Sequence, residues 1–176
     1  MLYLEMARMD VQNGEIYLIH SSEYTMTAIE EIRKLTKGLL TDTIKDFGLC
    51  GAIEHIARDT METYPVKIHC KLGASLEEAM SEKFKMNAFR IIQEQLNNIL
   101  KHASASDVYI TMSKKKAEFA LSIADNGVGF DNTKKSGRKG IGISNIVSRA
   151  ESYRGKARFI TGPGKGCKLV ISFPAA

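Results

Sequence analysis

Leu121-Ser122-Ile123-Ala124-Asp125-Asn126-Gly127-Val128-Gly129-Phe130 is the stretch on which the reading of the fold turns. Its first half alternates large apolar with small side chains, the pattern of a strand with one face turned inward. It then runs directly into Asp-Asn-Gly, which alone is a strong turn signal. A hairpin turn needs only one glycine, whereas here Gly129 follows two residues after Gly127, with Phe130 behind it. Glycines let a ligand come close to the backbone. A carboxylate at a strand end can accept a hydrogen bond from an exocyclic amine such as that of adenine. Asp125, Gly127 and Gly129 are therefore candidates for a binding strand end.

Val66 to Leu72, Asp107 to Ser113, Ala117 to Ala124, Ala157 to Thr161 and Lys168 to Phe173 all read as strands. Helices are expected from Leu49 to before Tyr64-Pro65, from Glu77 to Ala103 (with a separate entry turn), and from Ile143 to Tyr153. The order is helix, strand, helix, strand, strand, loop and helix, strand, strand. That order fits a two-layer α/β (α+β) sandwich, a mixed sheet covered by helices on one face. A doubly wound parallel sheet needs regular alternation. Ahead of this lie two helices, one carrying Leu2, Met6 and Met9, the other running from about Glu15 to Leu40, joined at Asn13-Gly14 as an antiparallel hairpin. Their apolar content is thin for an independent fold. Phe47-Gly48-Leu49 marks the boundary, giving residues 1–46 as a helical hairpin and 47–176 as the α/β domain.

Composition narrows the function. The 176 residues are 44% hydrophobic and 26% charged, enough for one domain with a short attachment. No apolar run reaches the length of a membrane span, and Met1 to Arg8 lacks the basic and apolar regions of a signal peptide. Cys50, Cys70 and Cys167 are far apart and odd in number, which argues against a disulfide framework or a zinc site and for a reduced, cytoplasmic setting. The net charge of +5 is partly clustered at Lys114-Lys115-Lys116 and at Lys134, Lys135, Arg138 and Lys139. No aromatic residues are interleaved there as a base-stacking surface requires, so nucleic acid is not the expected partner.

The helix Phe84 to Ala103 places Phe89, Ile92, Leu96, Ile99, Leu100 and Ala103 on one face. Glu94, Asn98, Lys101 and His102 leave from the other, with Glu94, Asn98 and His102 four residues apart and so stacked turn upon turn. A solvated face prefers Glu, Lys or Gln, yet Asn97 and Asn98 sit mid-helix, where each costs up to ~0.7 kcal/mol against Ala. An amide oxygen near a carboxylate and basic groups suits Mg²⁺ and phosphates. Farther on, Gly140 and Gly142 precede a helix whose free N–H groups favour an anion. Neither a Walker A loop nor a dinucleotide fingerprint occurs anywhere in the chain. Gly162-Pro163-Gly164-Lys165-Gly166-Cys167 alone reads as a hairpin turn.

In order, these pieces are Asn98-x-x-Lys101-His102-Ala103 on a helix, Asp125-Asn126-Gly127-x-Gly129-Phe130 after a strand, Gly140-x-Gly142-Ile143-x-Asn145 opening a helix, and Gly164-x-Gly166 before a last strand. That succession resembles the N, G1 and G2 boxes of the Bergerat-fold ATPases, the superfamily of gyrase, its related heat-shock chaperones, histidine kinases and mismatch-repair ATPases. The wording from Phe89 to Ala103, with Ile29 to Leu35 and Phe47 to Ile53 upstream, resembles the nitrate-sensor-type histidine kinases. The resemblance implies that the chain is the ATP-binding catalytic domain of a sensor histidine kinase in a two-component phosphorelay. Such a domain passes the γ-phosphate of ATP to a histidine for relay to a response regulator, within a homodimeric parent.

By that resemblance Asn98 would hold Mg²⁺ against the nucleotide phosphates, and Glu94 would stand near the γ-phosphate as base or positioning carboxylate. Lys101 and His102 would face phosphate oxygens, and Asp125 would read the adenine amine with Gly127 and Gly129 letting the base lie close. Residues 130–139 would form a basic lid with Gly140 and Gly142 as its hinge. Two departures stand out. Cys167 lies where the family usually has threonine. None of His20, His55, His69 and His102 matches the family's acceptor, a histidine followed by an acidic residue on the first dimerisation helix, so the acceptor is expected outside this chain, upstream of Met1. A degenerate, non-catalytic nucleotide-binding scaffold is the alternative, against which Glu94, Asn98 and Asp125 are all present.

Overall fold

In a computed structural model the residues described are 14–73, 76–115, 118–131 and 141–174. The expected first helix, with Leu2, Met6 and Met9, lies outside them, as do Gly140 and the lid segment 132–139. The chain divides into two compact units, Met1–Thr43 and Ile44–Ala176. The described part of the first is helical, with Ile16, Leu18 and Ile19 each about half exposed. Helix α1 (Gly14–Thr63) does not stop near Leu40 as the sequence suggests; its one non-helical residue is Gly48, at φ 70° and ψ −179°. Among the described residues no helix is long and apolar enough to cross a membrane.

The second unit is a five-stranded sheet with helices on one face. Strand β1 (Lys67–Leu72) pairs parallel with β2 (Asp107–Lys115), which requires a crossover, supplied by a short 3₁₀ turn (Glu77–Ala79) and helix α2 (Glu82–His102). Strand β3 (Glu118–Asp125) returns antiparallel to β2, helix α3 (Ile141–Glu151) follows, and β4 (Lys156–Thr161) and β5 (Cys167–Pro174) complete the order β1-β2-β3-β5-β4. Both antiparallel and parallel pairs are present, so the mixed two-layer sandwich expected from the element order is the fold.

Alternation along each strand decides which residues meet the helices. Val108, Ile110 and Met112 on β2, Phe119, Leu121 and Ile123 on β3, and Leu169, Ile171 and Phe173 on β5 are buried. Phe84 of α2 docks on them, with ring centroids 5.0 Å from Phe173 and 5.4 Å from Phe119. Burying one such side chain contributes about 1.5–3 kcal/mol. Two polar anchors orient the helices. Ser81 caps α2 by accepting from the Phe84 amide at 3.3 Å. Asn87 donates to the Arg149 carbonyl at 2.9 Å, tying α2 to α3.

At Gly48 the helical hydrogen bonding restarts, and the Glu77 carboxylate serves the freed donors. It accepts from the Leu49 amide at 2.9 Å and the Cys50 amide at 2.7 Å. A side chain at position 48 would run into that carboxylate, and the positive φ also favours glycine. Burial pushes the Glu77 carboxyl up, but the Cys50 and Leu49 amides, the Cys50 thiol and the Lys85 ammonium together hold it below the usual range.

Candidate functional site

Where α2, the end of β3, the start of β5 and the start of α3 meet, a cavity of about 590 Å³ opens, within the range of small-molecule sites. The four-residue spacing on α2 delivers Glu94, Asn98, Lys101 and His102 to its wall. Cross-strand register places Asp125 opposite Cys167 at its floor. The first turn of α3 closes the remaining side with Ile141, Gly142 and Ile143, and Phe159 reaches in from β4.

Among the described residues, three buried side-chain atoms have no hydrogen-bond partner: Gln95 Oε1, Asn98 Nδ2 and Asp125 Oδ2. All three residues line this one cavity. Leaving such a group unsatisfied costs about 1–3 kcal/mol, so their convergence marks a place built for a polar ligand. Asp125 is 9% exposed, and its other oxygen accepts from the Gly127 amide at 2.9 Å. Burial pushes its carboxyl above the ordinary range against the opposing pull of the Gly127 and Cys167 amides. Burial first, then the Asp125 charge, raises the Cys167 thiol to about 11, so it stays protonated as a small weak donor.

At the far end, Gly142 presses on α2. An ideal Cβ there would stand 2.5 Å from Glu94 Oε1 and 2.9 Å from Asn98 Oδ1. The two oxygens thus converge on one point against the opening of α3. Nine of the ten residues singled out in the sequence are described; eight of them, Glu94, Asn98, Lys101, His102, Asp125, Gly129, Gly142 and Cys167, line the cavity, and Gly140 falls outside the described residues.

Gly127 departs from its expected role. It does not line the cavity; a side chain there would strike the Ala103 carbonyl at the end of α2, so its glycine serves the close approach of that helix to the strand end. Gly129 lines the cavity, but its φ of 60° and the carbonyls of Gly162 and Gly166 against it also demand glycine. The segment 162–166, which alone reads as a plain turn, is docked on this loop, with the Gly164 amide donating to the Val128 carbonyl at 2.7 Å. Asn126 points away from ligand chemistry: its Oδ1 accepts from the Ser106 and Asp107 amides, both at 3.0 Å, and fastens β3 to the start of β2.

Sequence reasoning missed Gln95, Ile99, Ile141, Ile143 and Phe159, which complete the cavity wall. Gln95 carried a usable signal, a polar residue on the buried face of α2; Phe159 carried none, since only the β4–β5 pairing brings it here.

Residues 85–176, just over half of the chain, match the family described as histidine kinase-, DNA gyrase B- and HSP90-like ATPase. The chain belongs to that ATPase family. It is 30% identical over 151 residues to the sensor histidine kinase MctS of Rhizobium johnstonii, covering 84% of this chain and 32% of that protein. It is also 30% identical over 155 residues to the sensor histidine kinase ComP of Bacillus subtilis, covering 88% of this chain and 20% of ComP. The chain therefore spans about a third or less of these two relatives. A histidine kinase domain from a blue-light activated kinase of Erythrobacter litoralis superposes with a TM-score of 0.68 at 13% identity, over 93% of this chain and 86% of that one, which supports the fold. As a member of the family, the chain carries an ATP-binding catalytic domain.

Proposed function

We propose that this ATPase domain belongs to a sensor histidine kinase of the nitrate-sensor-like kind and transfers the γ-phosphate of ATP to a histidine outside this chain, for relay to a response regulator. The single observation that carries the reading is the convergence of Gln95 Oε1, Asn98 Nδ2 and Asp125 Oδ2, unpartnered, in one cavity. Asp125 Oδ2 accepts from the adenine amine, and Ile99, Ile141, Ile143 and Phe159 give the base an apolar bed. Lys101 and His102 stand at the exposed rim to neutralise phosphate charge.

The donor set fits Mg²⁺. That ion keeps several waters and takes one or two protein ligands beside substrate phosphates, and the Asn98 amide oxygen with Glu94 close by suits such a sparse site. Bound there, Mg²⁺ would supply charge neutralisation between phosphate groups. Glu94 Oε1, which with Asn98 Oδ1 comes close to Gly142 of α3, positions the incoming imidazole or takes its proton. Gly142 lies in the first turn of α3, whose opening amides would face the phosphates. The Cys167 thiol replaces the hydroxyl expected there as a small neighbour to Asp125. Phosphoryl transfer is chiefly a matter of positioning and charge, which this set provides.

Residues 1–46 are read as the remainder of a dimerisation hairpin, 47–176 as the catalytic domain, and the homodimer as the work of that hairpin, consistent with the half-exposed Ile16, Leu18 and Ile19. This part of the parent kinase would lie in the cytoplasm. The test is calorimetric titration with Mg-ATP, followed by mixing the domain with a helical hairpin bearing the acceptor histidine and radiolabelled ATP. Binding with transfer supports the proposal; absence of heat at millimolar nucleotide refutes it, and binding without transfer leaves the scaffold reading in its place.

A further inference from the structure

The face of the sheet opposite the helices is a charged surface that the nucleotide chemistry leaves unused. Register runs three rows across it: His69, Tyr109, Ala124, Lys168 and Ile160; then Lys71, Thr111, Ser122, Val170 and Arg158; then Ser113, Ala120, Ser172 and Lys156. Lys67 and Lys71 stand exposed along one side, and Lys156, Arg158 and Lys168 along the other. Between them Ala120, Ser122 and Ala124 form a low, half-buried neutral lane. Among the described side chains, the face sets five cations against two carboxylates, Asp107 at one corner and Glu118 at the opposite end. Among the described residues none of Lys71, Lys156, Arg158 and Lys168 has a carboxylate within 4.0 Å.

Lysines on edge strands commonly guard against sheet-to-sheet pairing, which would account for β1 and β4. It does not account for Lys168 on the interior strand β5, nor for Tyr109 and Ile160, left 49% and 54% exposed on the same face. Four interstrand steps separate β1 from β4, about 19 Å at ~4.8 Å each. One α-helix, about 10–12 Å across, lies within that width and leaves its flanks to the basic side chains. We infer that this face docks a single acidic amphipathic helix of a partner protein, its apolar stripe on the Ala120–Ala124 lane and its carboxylates against Lys67 and Lys71 on one flank and Arg158 and Lys168 on the other. Nucleic acid fits less well: single strands want several aromatic platforms, and Tyr109 is already stacked on His69 at 4.7 Å. The face is separate from the nucleotide cavity because Ala124, Arg158 and Lys168 alternate with Asp125, Phe159 and Cys167, which point the other way.

The experiment is fluorescence anisotropy on the whole chain at low salt, using a labelled helical peptide of about 18 residues with an apolar stripe flanked by Glu. A scrambled peptide of the same composition is the comparison. The amphipathic peptide is expected to bind at least about tenfold tighter than the scrambled one, with an affinity that falls as salt rises. Lys71→Glu combined with Arg158→Glu should raise Kd at least about tenfold, and Lys168→Gln should act in the same direction more weakly. Lys83→Glu, on exposed α2, should change nothing, and retained Mg-ATP binding in every variant reports an intact fold. The inference is overturned if the scrambled peptide binds as well or if Lys83→Glu weakens binding equally. Displacement of the peptide by a single-stranded oligonucleotide or by phosphatidylserine vesicles at lower concentration would overturn it too.

Discussion

Gly142→Ala is expected to separate nucleotide binding from stability. The added methyl would sit 2.5 Å from Glu94 Oε1 and 2.9 Å from Asn98 Oδ1. An ordinary carbon–oxygen contact is about 3.4 Å, so the carboxylate must retreat by about 0.9 Å and the amide by about half as much. Both atoms are the ends of side chains, so the fold survives the adjustment. Gly142 lies in the first turn of α3, where alanine is the better helix former by up to ~1 kcal/mol. Misplacing positioning groups by about 1 Å can reduce turnover about a hundredfold. The variant should therefore melt at the same or a higher temperature by circular dichroism, while calorimetry shows Mg-ATP affinity reduced about tenfold and phosphotransfer reduced further. Unaltered affinity would refute the placement of Glu94 and Asn98 against the nucleotide, and a lowered melting temperature would show that the added methyl strains the fold itself.

Asp125→Asn should weaken ATP binding far more than it weakens binding of a nucleotide lacking the exocyclic amine, measured by calorimetry. Because burial raises the Asp125 carboxyl in the folded state, the native domain holds its proton more tightly than the unfolded chain, and stability falls as pH rises from the ordinary Asp range through the raised value. The unliganded Asn variant should accordingly be more stable than the parent at neutral pH in urea titrations, and equal stability at pH 7 would contradict this. Glu77→Ala removes the acceptor for the Leu49 and Cys50 amides and should cost about 1–2 kcal/mol in the same titrations. With its folded carboxyl held low, the contribution of Glu77 is present above the ordinary Glu range and is lost as pH falls through the lowered value, so parent and variant should converge in acid. Cys50 and Cys167, both raised to about 11, should alkylate with iodoacetamide at pH 7.5 much more slowly than a free thiol, and Mg-ATP should slow Cys167 further; rapid labelling would argue against their burial.

The site was legible in the sequence wherever a local period carried it. Four-residue spacing put Glu94, Asn98 and His102 on one stripe, and alternation brought Asp125 to a strand end. The two asparagines in mid-helix are unusual for a solvated face, and both line the cavity. Long-range register was not legible: nothing near Cys167 or Phe159 announces that pairing will set the one opposite Asp125 and the other in the cavity wall. Glycine roles were legible only in part. Gly127 looked like room for a base, yet the helix end at Ala103 occupies that room, and sequence cannot say which neighbour comes close. The end of the helix near Leu40 was not legible, since the polar stretch after it continues as helix; the interruption falls at Gly48, within the Phe47-Gly48-Leu49 boundary read from the sequence, where a carboxylate nearly thirty residues downstream receives the freed amides.

Consecutive residues on β3, β4 and β5 answer to opposite clients. Positions 124 and 125, 158 and 159, and 167 and 168 each split between solvent and cavity. Substitutions can therefore retune the outside of the domain without touching the nucleotide, provided the count along each strand is kept. Inserting one residue within β5 would be another matter, since it would turn Lys168 inward to the cavity and carry Cys167 out into water. Point changes on these strands are thus open to gradual drift, whereas changes of length are closed to it.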